Sequence, residues 1–123
     1  MKHRLIYFLL FVFLVSCQSK EEKASIAKGK EVYIANCITC HQPDGMGVEA
    51  LYPSLVKPET ITWAQTERAI NLIKHGSGFE AGMKPVALTD QEIMDVVNFI
   101  QNSWGNEASF LTLAQIKEMK RNN

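Results

Sequence analysis

The sequence predicts an all-α domain, and three observations predict it. Apolar side chains recur at helical spacing, most clearly in Ile93, Val96, Val97, Ile100 and Trp104. Two segments open on a Thr with Glu or Gln three residues later, Thr89 with Glu92 and Thr112 with Gln115, the signature of a capping box. No stretch alternates convincingly with period two, so no strand is expected. The expected plan is three to five short helices around one site, plus a short C-terminal helix.

Composition narrows the function. The chain has 123 residues, 46% of them apolar, so it is neither disordered nor long enough for two ordinary domains. Thirteen basic and 13 acidic side chains give a net charge of zero, with no basic excess to neutralise phosphates; no nucleic-acid partner is expected. The zero is a sum of unlike parts. Residues 1–16 carry Lys2 and Arg4 and no acid, so the remainder holds 11 basic and 13 acidic groups.

The first element is an address. A basic start precedes an unbroken apolar run of 11 residues, Leu5 to Val15. A bilayer-spanning helix needs about 20, so the run fits the apolar core of a signal peptide, residues 1–16. Leu14-Val15-Ser16-Cys17 resembles a bacterial lipobox. That resemblance implies cleavage before Cys17 and lipidation of its thiol and new amine, and two or more acyl chains anchor stably where one does not. Residues 17–24 are polar and of mixed charge, and are expected to be a tether. Lys20-Glu21-Glu22 is similar to signals that send some bacterial lipoproteins to the cell surface; a solvated linker explains the same residues.

A helix is expected from about Ile26 to Cys37, leading into Cys37-Ile38-Thr39-Cys40-His41. C-x-x-C-H reads as covalent haem c attachment. Two thiols on one turn reach the two vinyl groups of a haem, and the adjacent imidazole projects toward its iron. A redox dithiol or half a zinc site would use the same cysteines. However, no strand precedes the motif, and no second cysteine pair follows it. With Cys17 lipidated, haem attachment accounts for the other two of the three cysteines.

Residues 26–104 resemble a class I cytochrome c. Gly29 and Tyr33 precede the motif, where the family uses a small residue to let its first and last helices cross closely. Tyr52-Pro53-Ser54-Leu55 is similar to the family's Pro-x-Leu. The resemblance implies that the Pro53 carbonyl accepts the N–H of the His41 imidazole and that Leu55 packs on the haem, which fixes the tautomer. Gly82-Met83-Lys84-Pro85 is similar to the distal-ligand loop. Position also favours Met83 among the five methionines. Met46 lies only five residues past His41, Met94 falls beside a helical stripe, Met119 lies in the tail and Met1 is removed. His75, before Gly76, is the rival ligand, although a surface place at a helix end suits it.

Thr66 to Lys74 is expected to be helical up to Gly76, and Leu88 to Trp104 up to Gly105. The cytochrome domain is thus expected over 25–105 and an extension over 106–123. Ser103-Trp104-Gly105-Asn106 is similar to the domain end of cytochromes that work beside oxidases, nitrite reductases or alcohol dehydrogenases.

The resemblance implies a non-enzymatic carrier with haem c (iron) bound through Cys37 and Cys40 and ligated by His41 and Met83. It would shuttle single electrons between respiratory partners: a terminal oxidase, reductase or dehydrogenase. It would be exported and lipid-anchored to a bacterial membrane, facing the periplasm or the cell surface. Lys84 is a candidate docking charge, or simply a solvated lysine. Competing readings are a haem enzyme or gas sensor with an open distal site, and a fixed subunit of an oxidoreductase complex.

Overall fold

A computed structural model describes residues 19–57 and 59–122. The expected signal peptide and the lipobox with Cys17 lie outside the described residues. Among the described residues there are five helices and no strand, only an isolated antiparallel bridge between Val48 and Tyr52. The helices are α1 (Lys20–Asn36), α2 (Ile38–His41), α3 (Trp63–His75), α4 (Asp90–Gln101) and α5 (Leu113–Asn122). None is long and apolar enough to cross a membrane.

The first helix begins earlier than the expected start near Ile26, a correction that makes residues 20–24 of the expected 17–24 tether helical. Ser19 caps α1 in full: its hydroxyl accepts from the Glu22 N–H, and the Glu22 carboxylate accepts from the Ser19 N–H at 2.9 Å. Glu21 and Glu22 also stand at the positive end of the helix dipole. Capping and charge, not an apolar stripe, extend the helix here. The same correction applies to α3. Thr62 and Gln65 form a capping box that starts the helix at Trp63, three residues before Thr66.

Helix α4 ends sooner than the periodicity suggests. Gln101 is its last residue, and Trp104 sits beyond it with a φ of 55°. Trp104 continues the apolar stripe in sequence but reaches its partners from a turn. Gly105 follows with a φ of 86°, a conformation that suits glycine.

The core lies where α1 crosses α4. Gly29 is the contact point: a Cβ there would sit 1.9 Å from the Asp95 carbonyl oxygen and 2.7 Å from the Phe99 Cβ. Only glycine permits that approach. Tyr33, Phe99 and Trp104 form a triangle of rings, with centroids 5.3 to 5.5 Å apart in tilted or edge-on pairs, the geometry aromatic quadrupoles favour. Ile70 and Ile73 from α3 and Ile93, Val96 and Val97 from α4 complete the centre. The expected packing place of Met94 is observed, against this cluster.

The C-terminal segment belongs to the same core. Leu111 and Ile116 are buried in it. Asn98, on α4, grips the backbone of Leu111: its side-chain oxygen accepts from the Leu111 N–H at 2.7 Å and its amide donates to the Leu111 carbonyl at 3.0 Å. The same amide donates to Ser25, whose hydroxyl donates to buried Asp95 at 2.7 Å. Helices α1, α4 and the approach to α5 therefore share one satisfied polar network. Thr112 and Gln115 then cap α5 as expected.

Candidate functional site

Helix α1 delivers the cysteine motif. Cys37 is its C-cap, and the chain re-enters a single helical turn, α2, that carries Cys40 and His41. The His41 N–H donates to the Cys37 carbonyl at 2.9 Å, closing the turn that holds both thiols and the imidazole together. Both cysteines are half-buried. Burial, with the neighbouring Cys40 adding to it, pushes the Cys37 thiol up to about 11.

The imidazole is oriented from its far side. His41 Nδ1 lies 3.1 Å from the Pro53 carbonyl oxygen. A carbonyl only accepts, so Nδ1 carries the proton and Nε2 is left as the metal-binding nitrogen. Asn106 holds the segment around Pro53 in place. Its amide donates to the Leu55 carbonyl at 3.0 Å and the Ile100 carbonyl at 2.8 Å, and its oxygen accepts from the Lys57 N–H at 2.6 Å. The loop between motif and Pro53 is tied by the Leu55 N–H to the Gly45 carbonyl at 2.8 Å and by Trp104 Nε1 to the Pro43 carbonyl at 3.2 Å. Trp104 also lies flat against Gly45, where a Cβ would meet its ring at 2.5 Å.

Gln42, directly after His41, has φ 66° and ψ 163°, a region in which residues other than glycine are strained. Its carbonyl accepts from the buried Tyr33 hydroxyl at 2.7 Å, and its N–H donates to the Ile38 carbonyl. Burial holds the Tyr33 phenol up at about 12, with Cys37 and Asp44 adding to it, so it stays a donor throughout the neutral range.

On the opposite strap, Met83 is half-buried against the core cluster, as are Leu55, Val86 and Leu88. The Ser77 N–H donates to the Met83 carbonyl at 2.9 Å, and the Val86 N–H donates to the Ile73 carbonyl at 2.8 Å, so the strap is fastened to the end of α3. His75 is the last residue of α3 and exposed. Lys84 is exposed, and its ammonium donates to the Glu80 carbonyl within the strap. Among the described residues no three His, Cys, Asp or Glu side chains converge as a metal cluster, so a zinc tetrahedron is not assembled around the motif.

This donor set fits a covalently held haem: paired thiols on one turn, an imidazole fixed through Nδ1 that leaves Nε2 for the metal, and a thioether on a separate strap. Sequence patterns reveal Cys37, Cys40, His41, Pro53, Leu55 and Met83. They miss Asn106 and the grip of Tyr33 on Gln42. The only cue to Asn106 is a polar residue beside Trp104-Gly105, and nothing local distinguishes it from a surface asparagine.

The fold and site define a class I cytochrome c. The chain belongs to the cytochrome c family, whose family model matches residues 26–104, and its cofactor is covalently bound haem c with iron. It is 32% identical over 103 residues to the alcohol dehydrogenase (quinone) cytochrome c subunit of Komagataeibacter europaeus, covering 75% of this chain and 22% of the relative. Identity rises to 40% over 91 residues with the subunit of the same name from Gluconobacter oxydans (strain 621H), covering 65% and 19%. The gluconate 2-dehydrogenase cytochrome c subunit of Pantoea cypripedii is 33% identical over 99 residues, covering 71% and 22%. The chain thus spans about a fifth of the length of these relatives.

Proposed function

We propose that this cytochrome is a lipid-anchored, single-haem electron carrier. Cys37 and Cys40 would hold the haem through two thioethers, and His41 Nε2 and the Met83 sulfur would hold its iron. The bound group supplies a one-electron ferrous–ferric couple. The chain supplies everything else. The Nδ1–Pro53 bond makes His41 more basic and fixes its ring. The soft thioether of Met83 would favour the reduced state, and Met83, Leu55, Val86 and Leu88 all pack against the core cluster. With His41 and Met83 both holding the iron, no position would be left for a substrate, which is why transfer and not catalysis is the reading. The hydrogen bond of His41 to the Pro53 carbonyl is the observation that carries it, because it presets one nitrogen for metal.

The proposed lipid at Cys17 follows from the lipobox pattern and would place the domain at a bacterial membrane, on the periplasmic side or at the cell surface. The relatives named as dehydrogenase cytochrome subunits favour a second form of the same reading, in which this domain receives electrons from a dehydrogenase as a resident subunit. Native gels of solubilised membranes, stained for haem, separate the forms: a free carrier runs alone as a small haem-stained band, a subunit co-migrates with dehydrogenase activity.

Ligation is tested by absorption. The ferric protein is expected to show the weak far-red band of methionine–iron ligation, and Met83→Ala is expected to abolish it. A band that survives in Met83→Ala overturns the assignment. Ready binding of carbon monoxide by the reduced wild-type protein would instead favour an enzyme or sensor.

A further inference from the structure

The strap that carries Met83 is closed by contacts within itself. It leaves α3 at Gly76, whose φ of 71° turns the chain. Inside the strap the Ser77 N–H donates to the Met83 carbonyl, the Gly82 N–H donates to the Phe79 carbonyl at 3.1 Å, and the Lys84 ammonium donates to the Glu80 carbonyl. Gly82 is the tightest point. A Cβ there would lie 1.8 Å from the Ser77 Oγ, 3.1 Å from the Ser77 Cβ and 3.3 Å from the Phe79 Cβ. Its φ is outside the left-handed region, so backbone conformation does not demand glycine. Space does. By contrast, Gly78 in the same strap has a φ of 78° and open surroundings; its requirement is conformational only.

We propose that Gly82 is a positioning residue for Met83: the absence of a side chain lets the two limbs of the strap close on Ser77, and that closure seats the neighbouring thioether. The inference rests on the reading of Met83 as iron ligand. A methyl at position 82 must turn the Ser77 hydroxyl out and would still crowd the Ser77 Cβ at 3.1 Å, and Ser77 is the residue whose N–H holds the Met83 carbonyl. Displacement therefore passes to Met83 through one bond on its own peptide and one hydrogen bond across the strap. The Ser77 hydroxyl is the nearest obstacle, so its removal is expected to make room.

The test compares wild type, Gly82→Ala, Ser77→Ala, the double variant and Met83→Ala, all as ferric holoproteins. Two readouts apply: the far-red band, and the affinity for added imidazole, which competes with Met83 for the iron. Gly82→Ala is expected to weaken the band and to raise imidazole affinity about tenfold, the scale of an ordinary single-site perturbation. Ser77→Ala alone, which gives up only a 3.4 Å bond from the Phe79 N–H, is expected to stay near wild type. The double variant is expected to recover most of the band and of the resistance to imidazole. Wild-type behaviour of Gly82→Ala, or a double variant no better than Gly82→Ala, overturns the inference while loss of the band in Met83→Ala upholds the ligand. Retention of the band in Met83→Ala overturns both. Failure of both Gly82→Ala and the double variant to assemble with haem also counts against it, since the Ser77 contact would then not be what demands glycine.

Discussion

Gln42 is where the site stores backbone strain. Its φ of 66° and ψ of 163° suit glycine, yet the side chain gains only a 3.2 Å hydrogen bond to the Thr39 carbonyl, near the surface. What fixes it is the Tyr33 hydroxyl on its carbonyl and the turn of α2 behind it. Strain of this kind costs of order 1–3 kcal/mol, and a glycine would lose roughly 0.5–1 kcal/mol of chain entropy. Gln42→Gly is therefore expected to stabilise the holoprotein by about 1 kcal/mol in urea titrations. Gln42→Ala keeps the strain and loses the Thr39 bond, so it is expected to be no more stable than wild type. A Gln42→Gly variant less stable than Gln42→Ala would mean that the backbone at 42 is not strained. Residues such as Cys37, Cys40 and His41 were legible because their chemistry is written within five positions. The partners of Gln42 were not, because a hydroxyl nine residues away decides them, and no local pattern announces it.

At the scale of elements, the helix starts are set by reciprocal caps more than by apolar stripes. Ser19 with Glu22, Thr62 with Gln65, Thr89 with Glu92 and Thr112 with Gln115 open the four longer helices. The last two were legible in the sequence. The first two were obscured, one by a mixed-charge stretch that looks solvated and one by a Trp-Ala-Gln start with little periodicity. Glu92 shows how such a cap depends on pH. Hydrogen bonds from the Thr89 backbone and side chain hold its carboxyl below the usual range. The folded state thus binds this proton more weakly than the unfolded chain. The stabilisation is fully present above the unfolded value of about 4.3 and fades as pH falls through the folded one. In Glu92→Gln the amide oxygen accepts the same bonds but has no charge to offer the helix dipole. The variant is expected to be less stable than wild type at pH 7, with the difference shrinking toward zero on acidification. A urea-midpoint difference constant from pH 7 to pH 3 would contradict the cap.

At the scale of the whole molecule, α1 is a strut between the proposed anchor and the haem site. It runs 17 residues from the Ser19 cap to Asn36, then delivers Cys37, and α4 braces its middle at Gly29. At 1.5 Å per residue that is about 26 Å. Only Gln18 separates Ser19 from Cys17, so on the proposed lipidation the first fixed residue stands within about 7 Å of the acylated one. The haem site is thereby confined within roughly 33 Å of the anchor point. A mixed-charge tether running to Ala24 would have left it free to roam; a helix from Lys20 does not. Confinement suits an electron partner whose port lies close to the same membrane, since a short link raises effective concentration only within its reach. A ten-residue Gly/Ser insertion between Gln18 and Ser19 adds a flexible span of about 17 Å. In vesicles carrying a fluorophore on the lipid headgroups, energy transfer to the haem is expected to be strong for the lipidated wild-type protein and to fall markedly on insertion. Transfer that is unchanged would show that the domain already floats freely, and that the start of α1 does not set the height of the site. Protein that fails to bind vesicles at all would instead remove the lipid anchor, leaving the length of the strut untouched.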